Sequence, residues 1–321
     1  MRYEVVTIGS ATQDVFLLTK EWQSGSKARG EAMHLGSKLD LAGICFDTGG
    51  GATNAAVTFA RAGLKVACVS RVGDDPAGFE VRKTLYHAGV DVKHMVVTEK
   101  ESTGYSSILL TKNGERTVLV YRGASHDFHW SETNWNAVKT SWIYLTSLAG
   151  DREYIEKLMR WARQNKVRVA WNPGKGELAW GMRVLEKYAD VVRVLLLNHE
   201  EAAQLAKQNE QKKKQIYETL AESRFPLVVV TDGTRGATVI TRDQQLHGPC
   251  LGPKAKNATG AGDAFGSAFV AGLIKWNDPT MALRLGLYNS GNVVACMGAK
   301  TCIMKHVPPL GNLRRIRVTL M

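Results

Sequence analysis

Long apolar runs are missing from this 321-residue chain: no stretch of roughly 18 apolar residues occurs, so no membrane-spanning helix is expected. No secretory leader is expected either. Met1-Arg2-Tyr3-Glu4-Val5-Val6-Thr7-Ile8-Gly9 runs straight into strand-like sequence. Cysteine is sparse: Cys45, Cys68, Cys250, Cys296 and Cys302 are odd in number, scattered, and never spaced as Cys-x-x-Cys. Neither a disulfide framework nor a zinc site is expected, and a reduced, cytoplasmic setting follows. The glycines at 49–51 do not form Gly-x-Gly-x-x-Gly, and the acid a dinucleotide fold expects after the next strand is not evident, which sets aside a nicotinamide-dependent dehydrogenase. Acidic residues are in deficit, 30 against 42 basic ones, for a net charge of +12. The excess is dispersed, apart from Lys212-Lys213-Lys214 and Arg314-Arg315-Ile316-Arg317. With no recognition helix and no aromatic-basic platform, no nucleic-acid partner is expected. The charge is compatible with anionic small-molecule substrates.

What is present is a 44% apolar chain, long enough to bury a sizeable core, with a repeated strand–helix rhythm. Tyr3 to Ile8 is a β-branched run ending at Gly9-Ser10, with Asp14 soon after. An Asp beyond the carboxyl end of a first strand lies where open α/β sheets bind ligands. Residues 47–57 carry Gly49-Gly50-Gly51 into a helix that stops at Gly63; the glycines allow close backbone approach, and Asn54 offers an amide to hydroxyls. Pro76 to His87 is a proline-opened helix, and Val90 to Val97 reads as a strand. Tyr105–Thr111 and Arg116–Tyr121 are joined by Lys112-Asn113-Gly114-Glu115, a hairpin signal. Arg122 leaves it, facing either a polyhydroxyl or anionic ligand or plain solvent. From Trp142 onward strands (142–146, 167–171, 191–197, 227–231) alternate with helices (151–164, 178–188, and a polar stretch to 224), which predicts a parallel sheet with helices on both faces. Strand-rich segments 11–46 and 96–123 interrupt this pattern. They predict a small discontinuous β-sheet lid over a core made of 1–10, 47–95 and 124–321. A lid would exclude water from a phosphoryl donor.

The organising stretch is Asn257-Ala258-Thr259-Gly260-Ala261-Gly262-Asp263, running into an apolar helical segment. A helix N-terminus has backbone N–H groups without intrahelical partners and a partial positive charge, so the amides of Gly260, Ala261 and Gly262 predict an anion hole. Asp263 at the same end is placed to accept a proton. Anion hole plus carboxylate is what phosphoryl transfer to an alcohol requires.

Together these pieces resemble the ribokinase-like, or PfkB, family of carbohydrate kinases, over essentially the whole chain. The first glycine-rich signature corresponds to Gly49-Gly50-Gly51-Ala52-Thr53-Asn54-Ala55-Ala56, with Ala60, Gly63 and Gly73-Asp74-Asp75 following. The second is Thr259-Gly260-Ala261-Gly262-Asp263, the Asn-x-x-Glu motif is Asn198 to Glu201, and the nucleotide loop is Thr231-Asp232-Gly233-Thr234-Arg235-Gly236. The resemblance implies a three-layer α/β/α sandwich with a mainly parallel central sheet and a small β-sheet lid. It implies Asp263 as catalytic base and Gly260, Ala261 and Gly262 as anion hole. It also implies Asp14, Gly50, Gly51 and Asn54 as acceptor contacts. Asn198 and Glu201 would order Mg²⁺ through water, and Thr231, Gly233, Gly236 and Asn289 would contact ATP. The acceptor would be a sugar or a nucleoside, and a homodimer through the lid is implied. Three departures stand out. Asn257 replaces an Asp that in relatives helps build a monovalent-cation site, which leaves K⁺ activation open. Ribokinase has a lysine where Gly51 stands and a substrate-binding glutamate near the position of Ala149. A catalytically silent sugar or nucleotide sensor on the same scaffold would be marked by loss of Asp263 or of the Gly260–Gly262 hole, and neither is lost.

Overall fold

The computed structural model describes residues 2–19, 38, 40–110, 116–252 and 259–321. In chain order its strands are β1 (Tyr3–Ile8), β2 (Thr12–Thr19), β3 (Leu41–Gly49), β4 (Val66–Val69), β5 (Arg71–Gly73), β6 (Val96–Thr98), β7 (Gly104–Leu110) and β8 (Arg116–Tyr121). These are followed by β9 (Thr140–Leu145), β10 (Arg168–Trp171), β11 (Val192–Asn198), β12 (Val228–Thr231), β13 (Ala237–Ile240), β14 (Gln245–Gly248) and β15 (Thr319–Leu320). The helices are α1 (Gly51–Arg61), α2 (Pro76–His87), α3 (Arg152–Gln164), α4 (Lys175–Leu178), α5 (Met182–Leu185), α6 (His199–Ala206), α7 (Lys213–Ala221), α8 (Ala261–Trp276), α9 (Pro279–Val293) and α10 (Leu310–Arg314).

Nine strands form one sheet in the order β15-β14-β13-β12-β11-β10-β9-β1-β4. The run from β4 across to β12 is parallel, and β12 to β15 pair antiparallel. Period-two alternation splits the apolar residues between two cores. In β11, Val194 and Leu196 face α1, α8 and α9, while Leu195 and Leu197 face α3, α6 and α7. The result is the expected three-layer sandwich. Close helix approach depends on small residues: the Cβ missing from Gly272 in α8 would lie 2.6 Å from Ala282 Cα in α9. Among the described residues no helix is long and apolar enough to cross a membrane.

A second sheet, in the order β3-β2-β7-β8, stands apart from the large one; β2 pairs antiparallel with β3 and parallel with β7. The hairpin of β7 and β8 is present, and its connecting residues 111–115 lie outside the described set, as do residues 20–37. Two local expectations fail. The single helix over 178–188 is broken into α4, α5 and a 3₁₀ turn, because the chain turns at Gly181 with φ 78°. The strand over 90–97 shrinks to β6, which pairs with β5 in its own two-stranded sheet.

The chain order reverses at β1: β4 lies on one side of it and β9 on the other. Such a reversal opens a crevice at the carboxyl ends of parallel strands. The N-terminus of α1 fills that crevice, with the Gly51 N–H donating to Ser10 Oγ (3.1 Å) just beyond β1.

Candidate active site

Three segments meet above the crevice: the start of β2, the first turns of α1 and the first turn of α8. Asp14 on β2 is buried and accepts from Thr12 Oγ1 (2.9 Å). It sits against Gly49, where any Cβ would run into the carboxylate, so the first glycine of the triplet is there for close packing. Asn54, buried on α1, donates through Nδ2 to Asp263 Oδ2 (2.8 Å). The Gly50 carbonyl accepts from the Asn54 N–H (2.9 Å), which fixes the turn presenting that amide. Asp14 and Asp263 thus share one cleft, although 249 positions separate them, and the charge of Asp14 raises the proton affinity of Asp263.

At the N-cap of α8, Gly260 adopts φ 76°, and its missing Cβ would lie 2.6 Å from Ala299 Cβ. Both the left-handed backbone and the neighbour exclude other residues. With Gly260 as N-cap, the N–H groups of Gly260, Ala261, Gly262 and Asp263 have no intrahelical partner, so Asp263 joins the expected three. Among the described residues, nothing beyond its own helix and chain neighbours lies within 4 Å of where a Gly262 Cβ would be, so the helix tip is open on that side. Asp263 is half-buried. Burial pushes its carboxyl above the usual carboxylate range, against the Asn54 bond and the charge of Lys300. For Asp14, burial is again the dominant upward cause, opposed by Lys300 and by the hydroxyls of Thr12 and Ser106. Two buried carboxylates with raised proton affinity in one cleft are the usual setting of acid–base chemistry.

Lys300 was not among the residues the sequence singles out. It is 4% exposed, donates through Nζ to the Thr48 carbonyl, and faces Asp14, Asp47 and Asp263. A signal existed: between Arg284 and Lys305 it is the only charged residue, inside an otherwise apolar and small-residue segment. Asp47 was also missed as a site residue; it belongs to the same cluster from the end of β3.

The nucleotide-side candidates gather at the ends of β10, β11 and β12. Asn198, Glu201, Thr231, Gly262 and Asp263 line one small cavity of about 120 Å³. Asn198 and Glu201 form a reciprocal cap on α6: Asn198 Oδ1 accepts from the Glu201 N–H and Glu201 Oε2 from the Asn198 N–H, both at 2.8 Å. One Glu201 oxygen is thereby spent. Burial raises the affinity of this carboxyl for a proton, so a cation at its second oxygen would be stabilising. That donor set fits an ion held mainly by water and phosphate oxygens, as Mg²⁺ commonly is. Gly233 and Gly236 lie in the turn after β12; Gly236 packs against the Gly248 carbonyl, whereas the Gly233 side is open.

Several expectations are corrected. Asn289 is fully buried, with Nδ2 donating to the Ala264 carbonyl (2.8 Å) and Oδ1 accepting from the Met304 N–H (2.8 Å). It joins α9, α8 and the C-terminal segment and has no surface for adenine. Arg122 is exposed at the end of β8, and what the fold uses is its carbonyl, which accepts from the Ser125 N–H (3.2 Å). Cys296 and Cys302 are joined in a disulfide, their Cα atoms 6.0 Å apart, because the turn after α9 folds back on itself. A six-residue separation closed by a turn carries no Cys-x-x-Cys signature. Asn257 lies outside the described residues.

Comparison with known proteins assigns the family. The chain matches the pfkB family of carbohydrate kinases over residues 4–306. It is 27% identical to a nucleoside kinase of Methanothermobacter thermautotrophicus, covering 79% of this chain and 81% of that one. It is 26% identical to the ribokinase of Haemophilus influenzae, covering 79% and 83%. The solved structure of Arabidopsis thaliana ribokinase, complexed with ribose and ATP, superposes with a TM-score of 0.77 at 19% identity, over 99% of this chain and 100% of that one. The chain belongs to the pfkB family of carbohydrate kinases and is a phosphotransferase with an alcohol group as acceptor.

Proposed function

We propose that the chain transfers the γ-phosphate of ATP to a hydroxyl of a sugar or sugar-like molecule, the ribose of a nucleoside included, with Asp263 as general base. One observation carries this reading: a half-buried carboxylate at the N-terminus of α8, oriented by Asn54 and facing Asp14 across the crevice beside β1. In the reaction Asp263 takes the acceptor hydroxyl proton and the freed oxygen bonds to the γ-phosphorus. The bond to the β–γ bridging oxygen breaks, and ADP leaves. The N–H groups at the tip of α8 stabilise charge on the phosphoryl oxygens. Asp14 and Asn54 hold acceptor hydroxyls, and the backbone at Gly50 and Gly51 shapes that wall. Thr231, Gly233, Gly236 and Asn198 form the nucleotide side. Glu201 would hold Mg²⁺ through water, and the ion would neutralise phosphate charge during transfer.

A coupled ADP-release assay tests the reading across ribose, fructose, keto-deoxygluconate, their phosphates and common nucleosides, with and without potassium. Turnover of at least one acceptor is expected. Tight binding of a sugar or nucleoside with no ADP release from any of them would favour the silent-sensor alternative.

The small sheet of β3, β2, β7 and β8, which lies largely within the expected lid segments 11–46 and 96–123, is read as the lid and as a homodimer surface. Ile44, Phe46, Leu119, Val120 and Tyr121 are exposed on it, and such a face is stabilised by a covering partner. Sedimentation showing only monomer at micromolar concentration would count against the dimer. An ATP-consuming kinase works where ATP is regenerated, so the reading carries a cytoplasmic location with it and needs neither nucleic acid nor membrane.

A further inference from the structure

The turn that carries Lys300 is held more firmly than a connecting loop needs to be. The Cys296–Cys302 disulfide spans it. Arg61 on α1 donates through one nitrogen to the Lys300 carbonyl (3.3 Å) and the Ile303 carbonyl (2.9 Å). Ala299 packs on the N-cap of α8, and Gly298 packs on the Asp47 carboxylate. From this fixed backbone the Lys300 side chain runs inward to the end of β3, where Nζ meets the carbonyl between Asp47 and Gly49.

A buried ammonium is stable only where opposite charge surrounds it. The groups facing Lys300 are Asp47 on β3, Asp14 on β2, Asp263 on α8 and the Cys68 thiol on β4. Asp47 Oδ2 is buried without a hydrogen-bond partner among the described residues, and its compensation is the charge of Lys300 and Arg61. The charge of Asp14 bears on Asp263, and among the described residues Lys300 is the one cation that acts on both carboxylates. Tyr144 and Asn54 also face Asp263, and neither supplies charge.

We propose that Lys300 is a positioning residue of the acceptor site: its ammonium is the shared counter-charge that keeps Asp14 and Asp263 ionised together, so that one can bind the acceptor while the other accepts its proton. This rests on the reading of Asp263 as base. Without Lys300, burial and the neighbouring Asp14 charge would raise the proton affinity of Asp263 further, as closely placed acids do, so less of it would be free to act as base. Burial also pushes the Lys300 ammonium down to about 8, so the wild-type enzyme should lose the counter-charge on the alkaline side.

The test is the pH profile of kcat/KM for the acceptor at saturating ATP, in wild type, Lys300→Met, Lys300→Arg and Asp263→Asn. Lys300→Met should lose about tenfold or more at neutral pH, a loss within the roughly 10²–10⁴-fold worth of a general base. Its acid limb should move to higher pH, so that part of the rate returns as pH rises. Lys300→Arg, whose charge does not titrate in this range, should keep the wild-type acid limb and lose the alkaline one. ATP affinity should stay within about twofold in both variants. If Lys300→Met keeps the wild-type acid limb, or Lys300→Arg keeps the wild-type alkaline limb, the proposal is overturned. The second arm holds even if the Met variant does not fold. An inactive Asp263→Asn beside an unshifted Lys300→Met would defeat only the Lys300 assignment, whereas an active Asp263→Asn would defeat the base assignment itself.

Discussion

Replacing Asp263 with Asn should move catalysis and stability in opposite directions. The amide is nearly isosteric, and its oxygen can still accept from Asn54 Nδ2, which the carboxylate does at 2.8 Å. The helix tip and its N–H groups stay in place. What is lost is the ability to take a proton, worth about 10²–10⁴-fold in rate, or roughly 3–5 kcal/mol of barrier at ~1.4 kcal/mol per tenfold. Stability should rise at neutral pH. Burial is the largest influence on Asp263 and outweighs the Asn54 bond and the Lys300 charge, so its folded-state proton affinity lies above that of the unfolded chain. A carboxyl of this kind contributes stability that is fully present below its unfolded pKa and is lost as pH rises through its folded pKa. The Asp263→Asn variant does not titrate. Its Tm should exceed that of the wild type at pH 7, and the gap should close below pH ~4, where both side chains are neutral. Coupled ADP release gives the rate, isothermal titration with ATP the nucleotide affinity, and thermal melts across pH the stability. Turnover within tenfold of the wild type would refute the base assignment. A Tm gap that did not change with pH would refute the electrostatic account of the site.

Other perturbations test separate parts of the structure. Gly260→Ala places a side chain at φ 76° against Ala299 and should cost about 2–4 kcal/mol in urea unfolding; a cost under about 0.5 kcal/mol would contradict the geometry at the α8 N-cap. Reduction of Cys296–Cys302, which closes a loop of six-residue separation, should lower stability by about 2 kcal/mol. Melting with and without dithiothreitol reads this, and the Cys296→Ser/Cys302→Ser double variant should no longer respond to reductant. Glu201→Gln keeps an oxygen for the α6 cap and removes the charge, so the magnesium concentration for half-maximal rate should rise about tenfold while the Tm changes little. An unchanged magnesium requirement would remove Glu201 from the metal-binding role.

Much of the site was legible because its parts are local. A glycine triplet before a helix, a Gly-Ala-Gly-Asp at another helix start and polar residues at strand ends are short-range patterns whose meaning comes from backbone geometry. Asp14, Asn54 and Asp263 could therefore be named before their convergence was known. Asn289 misled because an Asn on an apolar helix looks the same in sequence whether it faces a ligand or bridges a buried carbonyl and a buried N–H. Asn198 and Glu201 carry two readings at once, since the spacing that presents a carboxylate to a cleft is also the spacing of a capping box.

The sequence by itself determined the strand–helix alternation, the two helix tips and the acid placed at one of them, because hydrophobic period and glycine conformation act over a few residues. Only the tertiary structure decided which charges share a cavity. Lys300 meets the Thr48 carbonyl across 252 positions, and the Cys296–Cys302 turn that presents it is closed by contacts to α1 and α8. Desolvation and Coulomb energy depend on distances through space, and those exist only once β2, β3, α8 and the C-terminal turn have packed together.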